Sequence, residues 1–222
     1  MFFQWLKCDN TYNTQKGVKV GMFSEKRSLN LRVWHWLSAI AVFGLMLTYI
    51  LRKTALNYKT NAQILQVKLS EIGVALADDK AKEIAKIFRD NMWQAHYCLG
   101  FAFIALLLFR LYAFVSKQDK FPLCKIKEAK DSVLNEKSEY IKAKYAHVVF
   151  YAAAIYMSIS GLVMYFREAL GIDKGSLGLV KELHEWAFWF FALFIIAHIA
   201  GVIKAELTND KGIVSSMFNG KE

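Results

Sequence analysis

Proline is nearly missing from this chain: Pro122 is the single one in 222 residues. A protein built on many irregular loops would carry more, so this scarcity suits long uninterrupted helices. Cysteine is scarce as well. Cys8, Cys98 and Cys124 stand far apart, without the Cys-x-x-Cys pairs of metal or dithiol sites and without the Cys-x-x-Cys-His of covalent c-type haem. Acidic residues are outnumbered, 19 Asp and Glu against 29 Lys and Arg. An excess of this size is compatible with nucleic-acid binding, but no basic stripe interleaved with aromatics stands out, and no nucleic-acid partner is expected. No repeat or low-complexity segment appears. A cleavable leader is not expected either: the first thirty residues are mixed and charged, and no small-residue cleavage site follows the first apolar run.

What the chain has in abundance is long apolar stretches. Hydrophobic residues make up 55% of it, and mean hydropathy is +0.23. Four stretches, Val33–Leu51, Trp93–Val115, Tyr145–Phe166 and Leu183–Ile203, are too long and too apolar for ordinary core helices and read as membrane spans. The expected architecture is an all-α integral membrane four-helix bundle, a single domain over residues 1–222. The N-terminal segment, second connection and C-terminal tail hold 17 Lys and Arg, against 11 in the first and third connections. The positive-inside rule then places both termini in the cytoplasm of a bacterial inner (plasma) membrane. The net charge of +10 reads as this bias plus attraction to anionic headgroups. Two cysteines fall on that cytoplasmic side and one in a span, so three free thiols are expected.

The connections carry weaker signals. Met1–Leu6 is apolar and aromatic enough to lie on the bilayer surface. In the first connection, Arg52–Met92, Thr60 and Gln63 make a capping-box pattern before an apolar-periodic run that Gly73 can end. Asp78 or Asp79 is placed to cap a second short amphipathic helix bearing Ile84, Ile87 and Phe88. The second connection, Ser116–Lys144, alternates Lys with acidic residues and predicts a solvated cytoplasmic helix running into the third span. The tail, Lys204–Glu222, predicts an interfacial helix broken near Asn209–Gly212. Trp34, Trp36, Trp93, Trp186 and Trp189 cluster near span ends, where interfacial anchoring accounts for them.

All five histidines lie in or at the mouths of spans. His184 and His198 are fourteen residues apart, which advances about 21 Å along a helix and returns to within roughly 40° of the same face. One helix thus presents two imidazoles at two depths of a hydrocarbon layer about 30 Å thick. With the N-terminus inside, His35 opens span one at the inner level and His96 opens span two at the outer level. Depth pairs His35 with His198 and His96 with His184, the layout of two stacked bis-histidine b-type haems. His147 is left over, with Tyr151 one turn further in. It reads as a hydrogen-bonded structural side chain or a quinone-site proton donor, and less readily as an inner ligand in place of His35. Arg32 and Arg110 are placed to pair with inner haem propionates, with snorkelling to headgroups the competing reading. Gly100 follows His96 by one turn and Gly201 follows His198. Small residues there admit a flat macrocycle or close helix packing. Gly161 invites the same two readings.

These residues resemble a known family, the bacterial cytochrome b561 and nickel–iron hydrogenase b-subunit group. The likeness rests on Arg32-Val-Trp-His35-Trp36, His96-Tyr-Cys-Leu-Gly100, and His147-Val-Val-Phe-Tyr151 followed by Ser160-Gly161. It continues with His184-x13-His198 and Lys211-Gly-Ile-Val-Ser-Ser-Met-Phe-Asn-Gly220. It covers about residues 25–220 apart from the long first connection. The resemblance implies two haem b groups on His35, His96, His184 and His198. It also implies electron transfer between a redox partner, such as a dehydrogenase or hydrogenase, and the quinone pool. An electron-transfer subunit of a respiratory complex is the leading expectation. A self-sufficient superoxide:quinone oxidoreductase and a non-redox membrane scaffold are the alternatives, and self-association is left open.

Overall fold

The computed structural model describes residues 27–131, 137–208 and 212–220. Seven α-helices follow in chain order among them. They are α1 (Leu29–Lys53), α2 (Tyr58–Glu71), α3 (Asp78–Val115), α4 (Pro122–Asp131), α5 (Lys137–Tyr165), α6 (Gly178–Leu207) and α7 (Ile213–Asn219). No strand occurs among the described residues, as expected for an all-α chain. Four helices are long and apolar enough to cross a membrane: Leu29–Lys53, Asp78–Val115, Ser138–Tyr165 and Gly175–Leu207. Each overlaps one of the four expected spans and starts before it; the third ends at Tyr165, one residue short of the expected Phe166.

The apolar side chains of these helices are largely turned outward. On α6, Leu179, Leu183, Trp186, Trp189, Leu193, Ile196, Ile199, Ile203 and Leu207 are exposed at three- and four-residue spacing, while Phe191 is buried on the opposite face. On α1 the same holds for Val33, Leu37, Ile40, Phe43, Leu47 and Ile50 against buried Trp34, Ser38, Ala41 and Thr48. Surfaces of that size and apolarity are solvated by lipid, not water. The polar groups sit on the inner stripe, where a bundle interior would hold them.

The chain divides into two compact units, the described residues of Met1–His35 with Leu107–Glu222, and Trp36–Leu106. Their limits fall inside continuous helices, α1 and α3.

Within Trp36–Leu106, α2 docks on the first turns of α3 through Ala62, Ala81 and Ala85, fully or almost fully buried, with Tyr58, Leu65 and Leu76 around them. Side chains this small let two helix backbones approach closely. Asn57, not Thr60, caps α2: its side chain accepts from the Lys59 amide at 3.1 Å. Asx side chains reach an amide two residues on more readily than threonine, which decides the start. Gly73, at φ +78°, takes the left-handed turn after α2. The expected second short helix is not separate. Asp78 begins α3, a 38-residue helix of roughly 57 Å that runs on through the span. No glycine or proline interrupts residues 78–92, so nothing stops the helix once it starts. Deeper in, Gly44 of α1 takes Leu99 of α3 so closely that a Cβ there would lie 2.8 Å from Leu99 Cδ1.

In the other unit, the expected helix running into the third span is present as the start of α5 at Lys137, but α4 ahead of it is not the solvated helix expected of its charges. Pro122, Ile126 and Ala129 form a buried face, and α4 packs along α5, where Tyr140 is buried too. Cys124 is disulfide-bonded, which corrects the expectation of a free thiol there; separation in sequence carried no information about separation in space. Cys98 is free, and Cys8 and Met1–Leu6 lie outside the described residues. Gly212, with φ +94°, caps the start of the tail helix α7. The Glu206 carboxylate accepts from the amides of Gly212 and Val214 at 2.8 and 3.0 Å, placing an anion at a helix start. Arg27 donates to Ser216 Oγ at 3.1 Å and Arg32 Nη1 to the Phe218 carbonyl at 2.5 Å, tying α7 to the start of α1. The expected break at Asn209–Gly212 falls partly outside the described residues.

Candidate functional site

All five histidines are half-buried; none is turned fully outward. Three converge. The His198 ring centroid lies 6.2 Å from that of His35 and 6.4 Å from that of His147, with planes inclined at 47° and 67°. Phe194, one turn before His198, stacks on it at 6.0 Å with planes 5° apart and holds the ring's tilt. An aromatic run continues from Phe194 to Phe150 at 5.0 Å and from Phe150 to Tyr151 at 5.8 Å. Close to His35 on α1, Arg32 Nε and Ser38 Oγ are buried without a hydrogen-bond partner. Buried donors of that kind are costly unless a polar or anionic group meets them.

The other two histidines are held differently. Ser160 of α5 places Oγ 2.8 Å from His184 Nδ1, and the backbone at Gly161 leaves His184 Cε1 3.5 Å from where a Cβ would stand. Thr48 of α1 places Oγ1 2.7 Å from His96 Nδ1. Trp93 meets His96 edge-on at 5.5 Å. Helices α5 and α6 thus run antiparallel, His147 beside His198 at one depth and Ser160 beside His184 at the other.

Arg110 is buried, as an arginine this deep in a span must be if it faces inward. It donates to the Tyr151 hydroxyl at 3.2 Å and to Asp119 at 2.5 Å, with its guanidinium carbon 4.4 Å from the Phe114 ring centre and 5.2 Å from that of Trp34. Lys125 closes on the second Asp119 oxygen at 3.2 Å. Burial alone would raise the Asp119 pKa, but Lys125 and Arg110 hold it below its ordinary value. This ion pair was not legible beforehand, since nothing in the turn after α3 marked Asp119. Trp34 also departs from its expected anchoring role: it is buried, stacked on Tyr151 at 6.1 Å. Trp186 and Trp189 are exposed, as interfacial anchors would be. Gly100 and Gly201 have open space where a Cβ would go, so close packing does not account for them. Gly44, which the sequence did not single out, is the glycine that packing needs.

The family model for prokaryotic cytochrome b561 matches residues 26–220. The chain belongs to the prokaryotic cytochrome b561 family. Among curated relatives, it is similar to the "Probable Ni/Fe-hydrogenase B-type cytochrome subunit" of Cupriavidus necator, 21% identical over 232 residues, covering 86% of this chain and 83% of that one. It is equally similar to the "Probable Ni/Fe-hydrogenase 1 B-type cytochrome subunit" of Escherichia coli K12, at 21% identity and 86% of each chain. No solved structure matches it. As a cytochrome b561 family member with four apolar helices, the protein is a multi-pass membrane cytochrome b that works in electron transfer.

The residues present fit haem b, the cofactor of this family. Two imidazoles on opposite sides of one metal, each about 2 Å from nitrogen to metal, put their ring centroids roughly 6 Å apart. The His35–His198 separation of 6.2 Å matches that spacing, and His147–His198 comes close to it. Among the described residues no group of three or more His, Cys, Asp or Glu is arranged to chelate a bare ion.

Proposed function

We propose that this cytochrome b561 carries two haem b groups in a single membrane domain and transfers electrons between a redox partner and the quinone pool. The inner level is held by His35 and His198 and the outer by His96 and His184, assigned by depth along their own helices. The observation that carries the reading is the His35–His198 ring spacing of 6.2 Å on a helix whose second histidine, fourteen residues away, shares that inner face. Iron porphyrin supplies one-electron chemistry at a potential that the protein sets through axial ligands, burial and hydrogen bonds. The chain's part is to fix two imidazoles at each level, to exclude lipid from them, and to offer cations to anionic propionates. Arg32, with its buried Nε unmatched beside His35, suits that last role. Arg110 suits it less, because Asp119 already neutralises it.

His147, next to the inner pair and outside the ligand scheme, is a proton donor for quinone. The partner is a hydrogenase or another dehydrogenase, supported by the relatives' names, and both termini are cytoplasmic by the charge bias. A haem-to-protein ratio, measured by reduced-minus-oxidised spectra on the purified protein, tests the scheme. A ratio near two should fall to about one in His184→Ala and in His198→Ala. An unchanged ratio in both variants would overturn it.

A further inference from the structure

Two buried hydroxyls stand behind two of these histidines, built alike on different helices. Thr48 and Ser160 are almost completely buried, 5% and 3% exposed. Thr48 Oγ1 donates to the Leu45 carbonyl at 2.6 Å, three residues back on its own helix, and lies 2.7 Å from His96 Nδ1. Ser160 Oγ donates to the Met157 carbonyl at 3.2 Å, again three residues back, and lies 2.8 Å from His184 Nδ1. A hydroxyl has one proton. With that proton on the backbone carbonyl, the oxygen meets the ring through a lone pair and the ring nitrogen donates. That arrangement puts the hydrogen on Nδ1 of both histidines and leaves on Nε2 the lone pair that can bind a metal.

Backbone bonding to the preceding turn already satisfies a serine or threonine hydroxyl inside a helix. The imidazole contact is additional in both cases, and it recurs at the two histidines assigned to one level. We propose that Thr48 and Ser160 are positioning residues for His96 and His184. They fix the ring orientation and tautomer, and by accepting a hydrogen bond from Nδ1–H they make each Nε2 a stronger donor to iron. A stronger donor favours the ferric over the ferrous state. This rests on the reading of His96 and His184 as haem ligands.

The experiment is a redox titration, with electron paramagnetic resonance of the ferric state, on haem-loaded protein carrying Thr48→Val, Ser160→Ala or Thr48→Ser. The two deletions should each raise the midpoint of one haem and leave the other in place. Outer-shell partners of metal ligands are typically worth at least tenfold; a tenfold change in the ferrous-to-ferric ratio at fixed potential is about 59 mV for one electron. The g-values of the same haem should move, and Thr48→Ser should restore both signals. Loss of that haem in Thr48→Val with full retention and the wild-type midpoint in Thr48→Ser supports the inference as well. Unmoved midpoints in Thr48→Val and Ser160→Ala, or a Thr48→Ser protein indistinguishable from Thr48→Val, overturns it. Failure of the ligand reading is separate: it would appear as full haem content in His96→Ala and His184→Ala.

Discussion

Replacing Asp119 by asparagine would leave the Arg110 guanidinium charged, buried and deprived of its carboxylate. Breaking a buried ion pair by removing one partner typically costs about 3–5 kcal/mol. Two features reduce that here. Asp119 keeps 20% of its side chain exposed, and Arg110 keeps the Tyr151 hydroxyl and the faces of Phe114 and Trp34. A ring face offers a cation about 0.5–1 kcal/mol at modest desolvation. The expected cost is therefore about 2 kcal/mol, roughly a thirtyfold loss in the folded-to-unfolded ratio. Reversible unfolding in mixed detergent micelles, followed by tryptophan fluorescence, measures it. Arg110→Met removes the stranded charge, so the double variant should be less destabilised than the sum of the two single ones, by about 1–2 kcal/mol. The pH dependence has a defined sign. Because the folded-state pKa of Asp119 is depressed, its contribution is complete above its unfolded value, about 3.9, and is lost as pH falls through the lower folded value. Asp119→Asn should remove that part of the acid limb. A cost within about 0.5 kcal/mol of zero, or strict additivity with Arg110→Met, refutes the reasoning.

Other outcomes follow from the same geometry. His198 has two neighbours at nearly equal ring spacing, and the depth scheme requires His35→Ala to lose one haem and His147→Ala to keep two, read by haem-to-protein ratio; the reverse pattern would make His147 the ligand. Gly44→Ala would press a methyl on Leu99, whose flexible end can shift, so a loss of about 1 kcal/mol is expected in the same unfolding assay. Arg32→Ala removes the guanidinium that holds the Phe218 carbonyl, and hydrogen exchange of the α7 amides should quicken while that of α6 stays as it was.

The sequence was most legible where a long period carries the signal. Apolar runs of about twenty residues announced the four spans, and the fourteen-residue interval announced two depths on α6, because helix geometry is fixed by the backbone alone. The start of α2 was misjudged because Asn57 and Thr60 are both good caps, and the choice depends on which side chain reaches an amide. The continuity of α3 was missed because a charged, weakly apolar stretch reads as a separate surface helix, although the backbone has no reason to break. Asp119, Thr48 and Trp34 were beyond reach for a common reason. Their roles come from neighbours that the chain must fold to bring near: Arg110 across the turn, His96 on another helix, and Tyr151 on α5. In the sequence Ser160 stands only as part of the Ser160-Gly161 pair of the resemblance; its contact with His184 depends on how α5 and α6 are aligned.

The unbroken course of α3 sets a phase as well as a length. Asp78 and His96 are eighteen positions apart, which is five complete turns, so the first-turn aspartate and the imidazole leave the helix on the same side about 27 Å apart. Without a hinge between them, the shaft is rigid in torsion. Inserting or deleting one residue between Asp90 and Trp93 would swing the whole α2 hairpin by about 100° around the axis while moving it only about 1.5 Å. Evolution can therefore re-aim whatever that hairpin presents to the aqueous side by changing the count of residues, with no alteration to the histidine itself.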